Sequence, residues 1–523
     1  MKGTYSSVRA AMGSGDYPTA KTYCAEILKA TPQDPEAHYI QGCIALEEGN
    51  DLSAKESLER AVLLGAKSAG PYISLAYLAS KSGNPVAAHK LLRDGLKKDK
   101  SNKRVFYALG QVCLDMGNWR DSKKYFEKVL TLDSQFIGAI TSLIGIYDRT
   151  GELKKAETLL KRALTINPND IYTLLTSARH LLAQGDFTSS LACINKSINL
   201  ASEGVSGGVF YGAYSLRGAV NDAMGNYKDA FEDWSKSKKY IPDDPAREDL
   251  FVNHHTWFTR ENLAKLKSPN DDVLRPIFLA GFARSGTTLL EQMLHSHKGI
   301  CVSNESISFG PLVRAAPNFP SGLLDMPSSE FMGVRDSYWA MALEIAGPSA
   351  AGVVFVDKQP MNIRALGFIE ALFPQSPMVI MQRDPRDVCI SCFSQEFDQG
   401  GNYFKGKIHS IADIVDIYCS VMDAYLFYKK NLDLRLYEIK YENLLAAPET
   451  ELKGVLQFMG LEWSDSVLSY SEKSRKRYIA TPSYNQVTQP LYRTAQGRWK
   501  NYEKELAPYL ERLDPYIKGF GYE

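Results

Sequence analysis

The chain has 523 residues, more than one ordinary domain of about 150 residues can hold, so at least two folding units are expected. With 44% hydrophobic and 23% charged residues, wholesale disorder and collagen-like or mucin-like classes are excluded. The balance of 61 Lys+Arg against 60 Asp+Glu leaves a formal charge of +1, which removes any global electrostatic case for nucleic acid or an anionic membrane as a partner.

Met1-Lys2-Gly3-Thr4-Tyr5 leads into no apolar signal core, and nowhere do 18 apolar residues run together, so neither a signal peptide nor a membrane span is expected. Eight scattered cysteines show neither disulfide-scaffold density nor zinc spacing, which makes a reducing cytoplasm the expected location. Cys389 and Cys392 form one CxxC; its position beyond a strand end favours two buried helix cysteines over a redox pair.

The first half is periodic. Gly15, Gly49, Gly83, Gly117, Gly151 and Gly185 recur every 34 residues, each followed by Asp, Asn or Glu, and Gly225-Asn226 repeats the signature after 40. Five positions after the glycines stand Ala20, Ala54, Ala88, Ser122, Ala156, Ser190 and Ala230, small enough for close helix packing. Pro32, Pro168 and Pro242 mark where a second helix should stop. Apolar residues between the turns, such as Tyr125, Phe126, Val129 and Leu130, recur at helical spacing. About seven helical hairpins over residues 1–245 are predicted, and this punctuation resembles the tetratricopeptide repeat. Such hairpins bury their apolar faces only by stacking, which implies a superhelix with a groove for a protein partner or acceptor, or a packing platform.

After a connecting segment, 246–274, the pattern changes. Ile277-Phe278-Leu279-Ala280 reads as a buried parallel strand, followed by the loop Gly281-Phe-Ala-Arg284-Ser285-Gly286-Thr287-Thr288 and a helical stripe of Leu289, Leu290, Met293 and Leu294. A strand, glycine loop and helix start present converging N–H groups to a phosphate or sulfate. The spacing is P-loop-like, but Thr287 stands where an ATPase or kinase needs Lys, and the cation, Arg284, lies inside the loop. Further strands are predicted at Val353–Val356, Met378–Met381 and Leu436–Ile439. They end at Lys358, Arg383 and Tyr441, the strand ends where open parallel sheets bind ligands. From Lys473 to Lys500 seven basic residues occur without an acidic one, a further place to hold an anion.

Together these residues resemble a sulfotransferase over 275–523, nearest in pattern to the tyrosylprotein and repeat-linked branch. The resemblance implies an α/β domain with a parallel sheet after the all-helical repeats. It implies 3′-phosphoadenosine 5′-phosphosulfate as co-substrate, with Arg284, Ser285, Gly286, Thr287 and Thr288 on the 5′-phosphosulfate. It assigns the 3′-phosphate to Arg383 and Ser391, the adenosine side to Tyr441, and a late nucleotide contact to Arg498. Glu305, 21 residues after Arg284, corresponds to the family's general base, and Lys358 to its strand-end lysine; Glu305, Arg284 and Lys358 are the implied catalytic set. Where animal tyrosylprotein enzymes carry arginines that grip acidic peptides, Ile307, Ser308 and Phe309 follow here. That counts against an acidic peptide acceptor unless Arg314 or the repeats supply the grip.

The expected reaction is transfer of a sulfuryl group to an acceptor hydroxyl, on a tyrosine of a protein or peptide, another phenol, or a glycan. No metal is implied, since no carboxylates near the loop are paired at Mg²⁺ spacing in the sequence. The alternative is a catalytically silent nucleotide-binding repeat scaffold, which predicts defects at the catalytic positions.

Overall fold

A computed structural model of the chain describes residues 4–201, 207–242, 249–266, 274–303, 305, 309–314, 316, 318–346, 353–397, 403–404, 406–470 and 495–522. Each repeat turn has one physical origin. The seven punctuating glycines all hold left-handed φ between 73° and 80°, a conformation that a Cβ disfavours. The next residue caps the second helix: Asp16, Asn50, Asn84, Asn118 and Asp186 each accept the backbone N–H three residues on. That satisfies one of the donors every helix start leaves open. The small residues predicted at the helix crossing, from Ala20 to Ala230, are all fully buried.

Helices α1 (Tyr5–Gly13) to α14 (Tyr227–Lys238) follow two per repeat. Helix α2 (Tyr17–Ala30) stops before Pro32 and α10 (Leu153–Ile166) before Pro168, because proline can neither donate a backbone bond nor fit the preceding turn. Among the described residues no helix is long and apolar enough to cross a membrane.

Packing divides the chain elsewhere than the repeat period does. One unit holds Met1–Asp148 and Glu152–Thr173; the other consists mainly of Leu174–Asp398 and Tyr403–Glu523. Thus α13 (Gly207–Ala223) and α14 belong to the same unit as the sheet. Ala230 and Trp234 share a core with Phe278, Phe393 and Tyr502; Phe231 lies 5.0 Å from the Phe393 ring, and the Lys238 ammonium donates to the Gln395 carbonyl at 2.6 Å. Of the connecting segment, 246–248 and 267–273 lie outside the described residues.

The sheet has five parallel strands in the order β2-β3-β1-β4-β5. They are β1 (Ile277–Gly281), β2 (Ile300–Val302), β3 (Val354–Lys358), β4 (Met378–Gln382) and β5 (Leu436–Lys440). Four match the predicted strands. The fifth, β2, has three residues, too few to show a period. Alternate residues enter different cores: Phe278, Ala280, Met378 and Ile380 on one face, Ile277, Leu279, Val379 and Met381 on the other. Both faces are covered, which explains why these strands read as continuous apolar runs.

Candidate functional site

The loop after β1 is shaped by what cannot fit there. A Cβ on Gly281 would lie 2.5 Å from the Met381 carbonyl oxygen and 2.7 Å from Ser285 Oγ, so glycine alone lets β1 run this close to β4. Arg284 and Gly286 take left-handed φ of 68° and 105°; for Arg284 that costs on the order of 1–3 kcal/mol, strain of the kind found at ligand sites. Helix Thr287–His295 then begins on Gly286 with no side-chain cap, and Thr287 and Thr288 are buried in its first turn.

The other strand ends deliver their cations to this loop. Arg284 Nε donates to Ser391 Oγ at 3.0 Å, joining the loop after β1 to helix Pro385–Phe393. Arg383, just beyond β4, donates from Nη1 to the Arg284 carbonyl at 3.0 Å and from Nη2 to the Ala495 carbonyl at 2.5 Å. Its guanidinium lies 4.8 Å from the Tyr441 ring centroid, and the Tyr441 ring seals Gly286, where a Cβ would meet it at 2.5 Å. Two buried polar atoms in this group, Ser285 Oγ and Arg383 Nε, have no hydrogen-bond partner among the described residues. Buried donors are rarely left so; together with the uncapped helix start they suit a ligand bearing phosphate-type oxygens.

Beside the loop sits a second group. Lys358, the last residue of β3, is fully buried, and its ammonium contacts Glu305 at 2.5 Å and Glu291 at 2.9 Å. Burial alone would push the Lys358 ammonium down, but the two carboxylates outweigh it and hold it above its ordinary value. Glu305 follows β2 at φ 58°, its N–H donating to the Lys358 carbonyl at 3.2 Å. It is one-third exposed, so its carboxylate is open to an incoming hydroxyl. Behind it, Ser303 Oγ donates to Asp357 at 3.1 Å and accepts from the Lys358 N–H at 2.9 Å, while the Tyr338 hydroxyl donates to Asp357 at 3.0 Å. Burial pushes the Asp357 carboxyl up to about 6 against the effect of those two hydrogen bonds.

Arg498 is not brought to this group. Its guanidinium pairs with Asp222 of α13 at 2.7 Å, a carboxylate that also accepts from the Tyr502 hydroxyl at 2.5 Å. The backbone around it does approach: the N–H groups of Gly497 and Trp499 both donate to Asp387 at 2.8 Å, and Asp387 lies 3.6 Å from Arg383. Of the acid-free stretch, residues 473–494 lie outside the described residues, as do Ile307, Ser308 and the Arg314 side chain. Cys389 and Cys392 are buried in helix Pro385–Phe393. Burial pushes the Cys392 thiol up to about 12, which fits inert helix cysteines rather than a redox pair.

The sulfotransferase family profile matches residues 276–465, and tetratricopeptide-repeat profiles match 5–71, 103–136 and 145–170. Residues 276–465 form a sulfotransferase-family domain. An uncharacterized protein of Aquifex aeolicus is 25% identical over 401 residues, covering 73% of this chain and 51% of its own. The chain therefore spans about half the length of that relative. Protein-tyrosine sulfotransferase 2 of Gallus gallus is 24% identical over 46% of this chain and 70% of its own. Among solved structures, the sulfotransferase domain from the Synechococcus PCC 7002 olefin synthase covers 45% of this chain and 91% of its own at 20% identity, with a TM-score of 0.32.

Within the sulfotransferase domain, sequence reasoning missed Glu291, Asp357 and Asp387. Glu291 left a readable signal: it interrupts the apolar stripe of its helix and stands four residues after Thr287, on the same helical face as the loop. Asp387 stands in the first turn after Pro385, where a carboxylate suits any helix start, and nothing in that position shows that it also holds the backbone of a segment 110 residues away.

Proposed function

We propose that this protein transfers a sulfuryl group from 3′-phosphoadenosine 5′-phosphosulfate to an acceptor hydroxyl, with a phenol or protein tyrosine as the favoured class. One observation carries the reading: the cation-bearing loop, the Arg383–Ser391 element and the Lys358–Glu305 pair, drawn from the ends of β1, β4, β3 and β2, meet at the carboxyl ends of neighbouring strands. Ser285 Oγ and Arg383 Nε, buried without a partner among the described residues, offer donors to the nucleotide's phosphates. In this assignment Arg284, Ser285, Gly286, Thr287 and Thr288 hold the 5′-phosphosulfate, Arg383 and Ser391 the 3′-phosphate, and Tyr441 borders the nucleoside. Arg498, held by Asp222, serves the fold of the adjoining segment instead. The tyrosine preference draws on the names of the relatives; the repeats are assigned to acceptor or partner binding.

Sulfuryl transfer needs positioning and neutralisation of spreading charge more than covalent help, as phosphoryl transfer does. The acceptor oxygen bonds to sulfur, the bridging sulfur–oxygen bond breaks, and its electron pair stays on the departing phosphate. Glu305 takes the acceptor's proton on its carboxylate. Arg284, Lys358 and the loop N–H groups stabilise the charge on the sulfuryl and phosphate oxygens. A silent scaffold would be expected to have lost the base or the lysine, yet Glu305 and Lys358 are both present and in contact.

The test uses ³⁵S-labelled donor with a panel of phenols, tyrosine peptides and glycans. Glu305→Gln is expected to keep nucleotide binding and lose about two to four orders of magnitude in turnover. Turnover within a few-fold of the native protein would remove Glu305 from the role.

A further inference from the structure

We infer that Glu291 is a positioning residue that makes proton uptake by Glu305 easier, by keeping the buried Lys358 ammonium neutralised while Glu305 loses its charge. The inference rests on Glu305 being the base. Its ground is the geometry of one buried ammonium between two carboxylates, at 2.9 Å from Glu291 and 2.5 Å from Glu305. The two carboxylates differ in surroundings. Glu291 is 2% exposed and Lys358 is fully buried, whereas Glu305 is 33% exposed.

Consider Lys358 with Glu305 as its single partner. Once Glu305 accepted the acceptor's proton, a fully buried ammonium would stand uncompensated, one of the costliest arrangements a protein interior can hold. That penalty would fall on the proton transfer itself. With Glu291 in place the ammonium keeps an anionic partner through the step. Glu291 also acts directly, because two like charges on one cation disfavour each other's ionised form. Both effects favour proton uptake at Glu305, the carboxylate that an acceptor can reach.

The charged groups around Lys358 are few in the described structure. Helix Thr287–His295 contributes Glu291, whose other oxygen accepts from Gln292 at 3.0 Å. The segment after β2 contributes Glu305, and β3 itself contributes Asp357, which is hydrogen-bonded to Ser303 and Tyr338. Glu291 is therefore placed to share the ammonium rather than to touch substrate.

The experiment compares the full-length protein with Glu291→Gln and Glu291→Asp. Two readouts are taken: turnover of labelled donor with a small phenol against pH, and carbon-13 NMR of glutamate carboxyls without donor or acceptor. The Glu305 resonance is assigned by its loss in Glu305→Gln. In Glu291→Gln the acid limb of the rate profile and the Glu305 titration midpoint should both move to lower pH by about one to two pH units. Affinity for 3′-phosphoadenosine 5′-phosphate should stay within about threefold, a change of under 1 kcal/mol. Glu291→Asp, which withdraws the carboxylate by one methylene, should shift both in the same direction by less, and carries the test if Glu291→Gln fails to fold. Unmoved midpoints in both variants, with Glu305→Gln inactive, would overturn the inference and leave the base intact. An active Glu305→Gln would reject the base, and the inference with it.

Discussion

Gly117 and Gly286 both hold left-handed backbone, but they show two ways of using it. Around Gly117, at φ 73°, a Cβ would meet nothing within 4 Å, while at Gly286, at φ 105°, it would strike the Tyr441 ring at 2.5 Å. The first is a local turn, repeated with nearly the same angle through the array, and its partners are sequence neighbours. The second is a meeting point: Tyr441 lies 155 positions further along the chain. The same contrast runs through both regions. Hairpins of the array are closed by caps three residues apart, such as Asn118 to Asp121; the site is closed by bonds such as Arg284 to Ser391, 107 residues apart. Damage to the array should therefore stay local, and damage to the site should reach every strand end.

The largest test of this contrast is truncation. A chain starting at Leu174 removes chiefly the repeat helices of the other packing unit and should still bind 3′-phosphoadenosine 5′-phosphate in calorimetry. A chain starting at Asp271 also removes Asp222, Trp234 and Lys238, which strips cover from Phe393 and Tyr502 and leaves Arg498 without its ion pair. Losing a buried Trp alone typically costs about 3–5 kcal/mol, so this chain should aggregate in gel filtration or fail to bind. Nucleotide binding by both would show that α14 is a spacer and would support a domain boundary at residue 245.

The second test is pH. Asp357 titrates at about 6 when folded, above about 3.9 for an unfolded Asp. A raised carboxyl binds its proton more tightly in the folded state, so its favourable contribution is complete below about pH 4 and is lost as pH rises through about 6. The stability of the native protein minus that of Asp357→Asn should fall by an amount on the order of 3 kcal/mol across that window. Urea unfolding at a series of pH values measures it; a flat difference would mean that Asp357 is not held as buried as the geometry indicates.

The smallest effects come from one substitution made twice. Gly286→Ala should push Tyr441 from the loop and weaken nucleotide binding by about tenfold or more, the scale of overpacking at a closed contact. Gly117→Ala should leave nucleotide binding untouched and cost about 1–2 kcal/mol in unfolding of its own unit, the price of a left-handed L-residue. Equal effects on nucleotide binding would erase the distinction between the two regions.

The repeat array was legible because its determinants are short-range. Gly, the capping Asp or Asn, the small crossing residue and the terminating Pro lie within one 34-residue unit and act through neighbouring backbone. Four of the five strands were legible as apolar runs, and Arg284, Lys358, Arg383 and Tyr441 through their place after them. What the tertiary structure alone decided was partnership. Lys358 takes two carboxylates from two other elements, Arg498 turns to Asp222 on a repeat helix, and Trp234 joins the core of the sheet. A side chain's spacing along the chain carries no record of which remote group will neutralise it. That choice depends on burial, which makes an unpaired charge costly, and burial exists only once the sheet and its covering helices have packed.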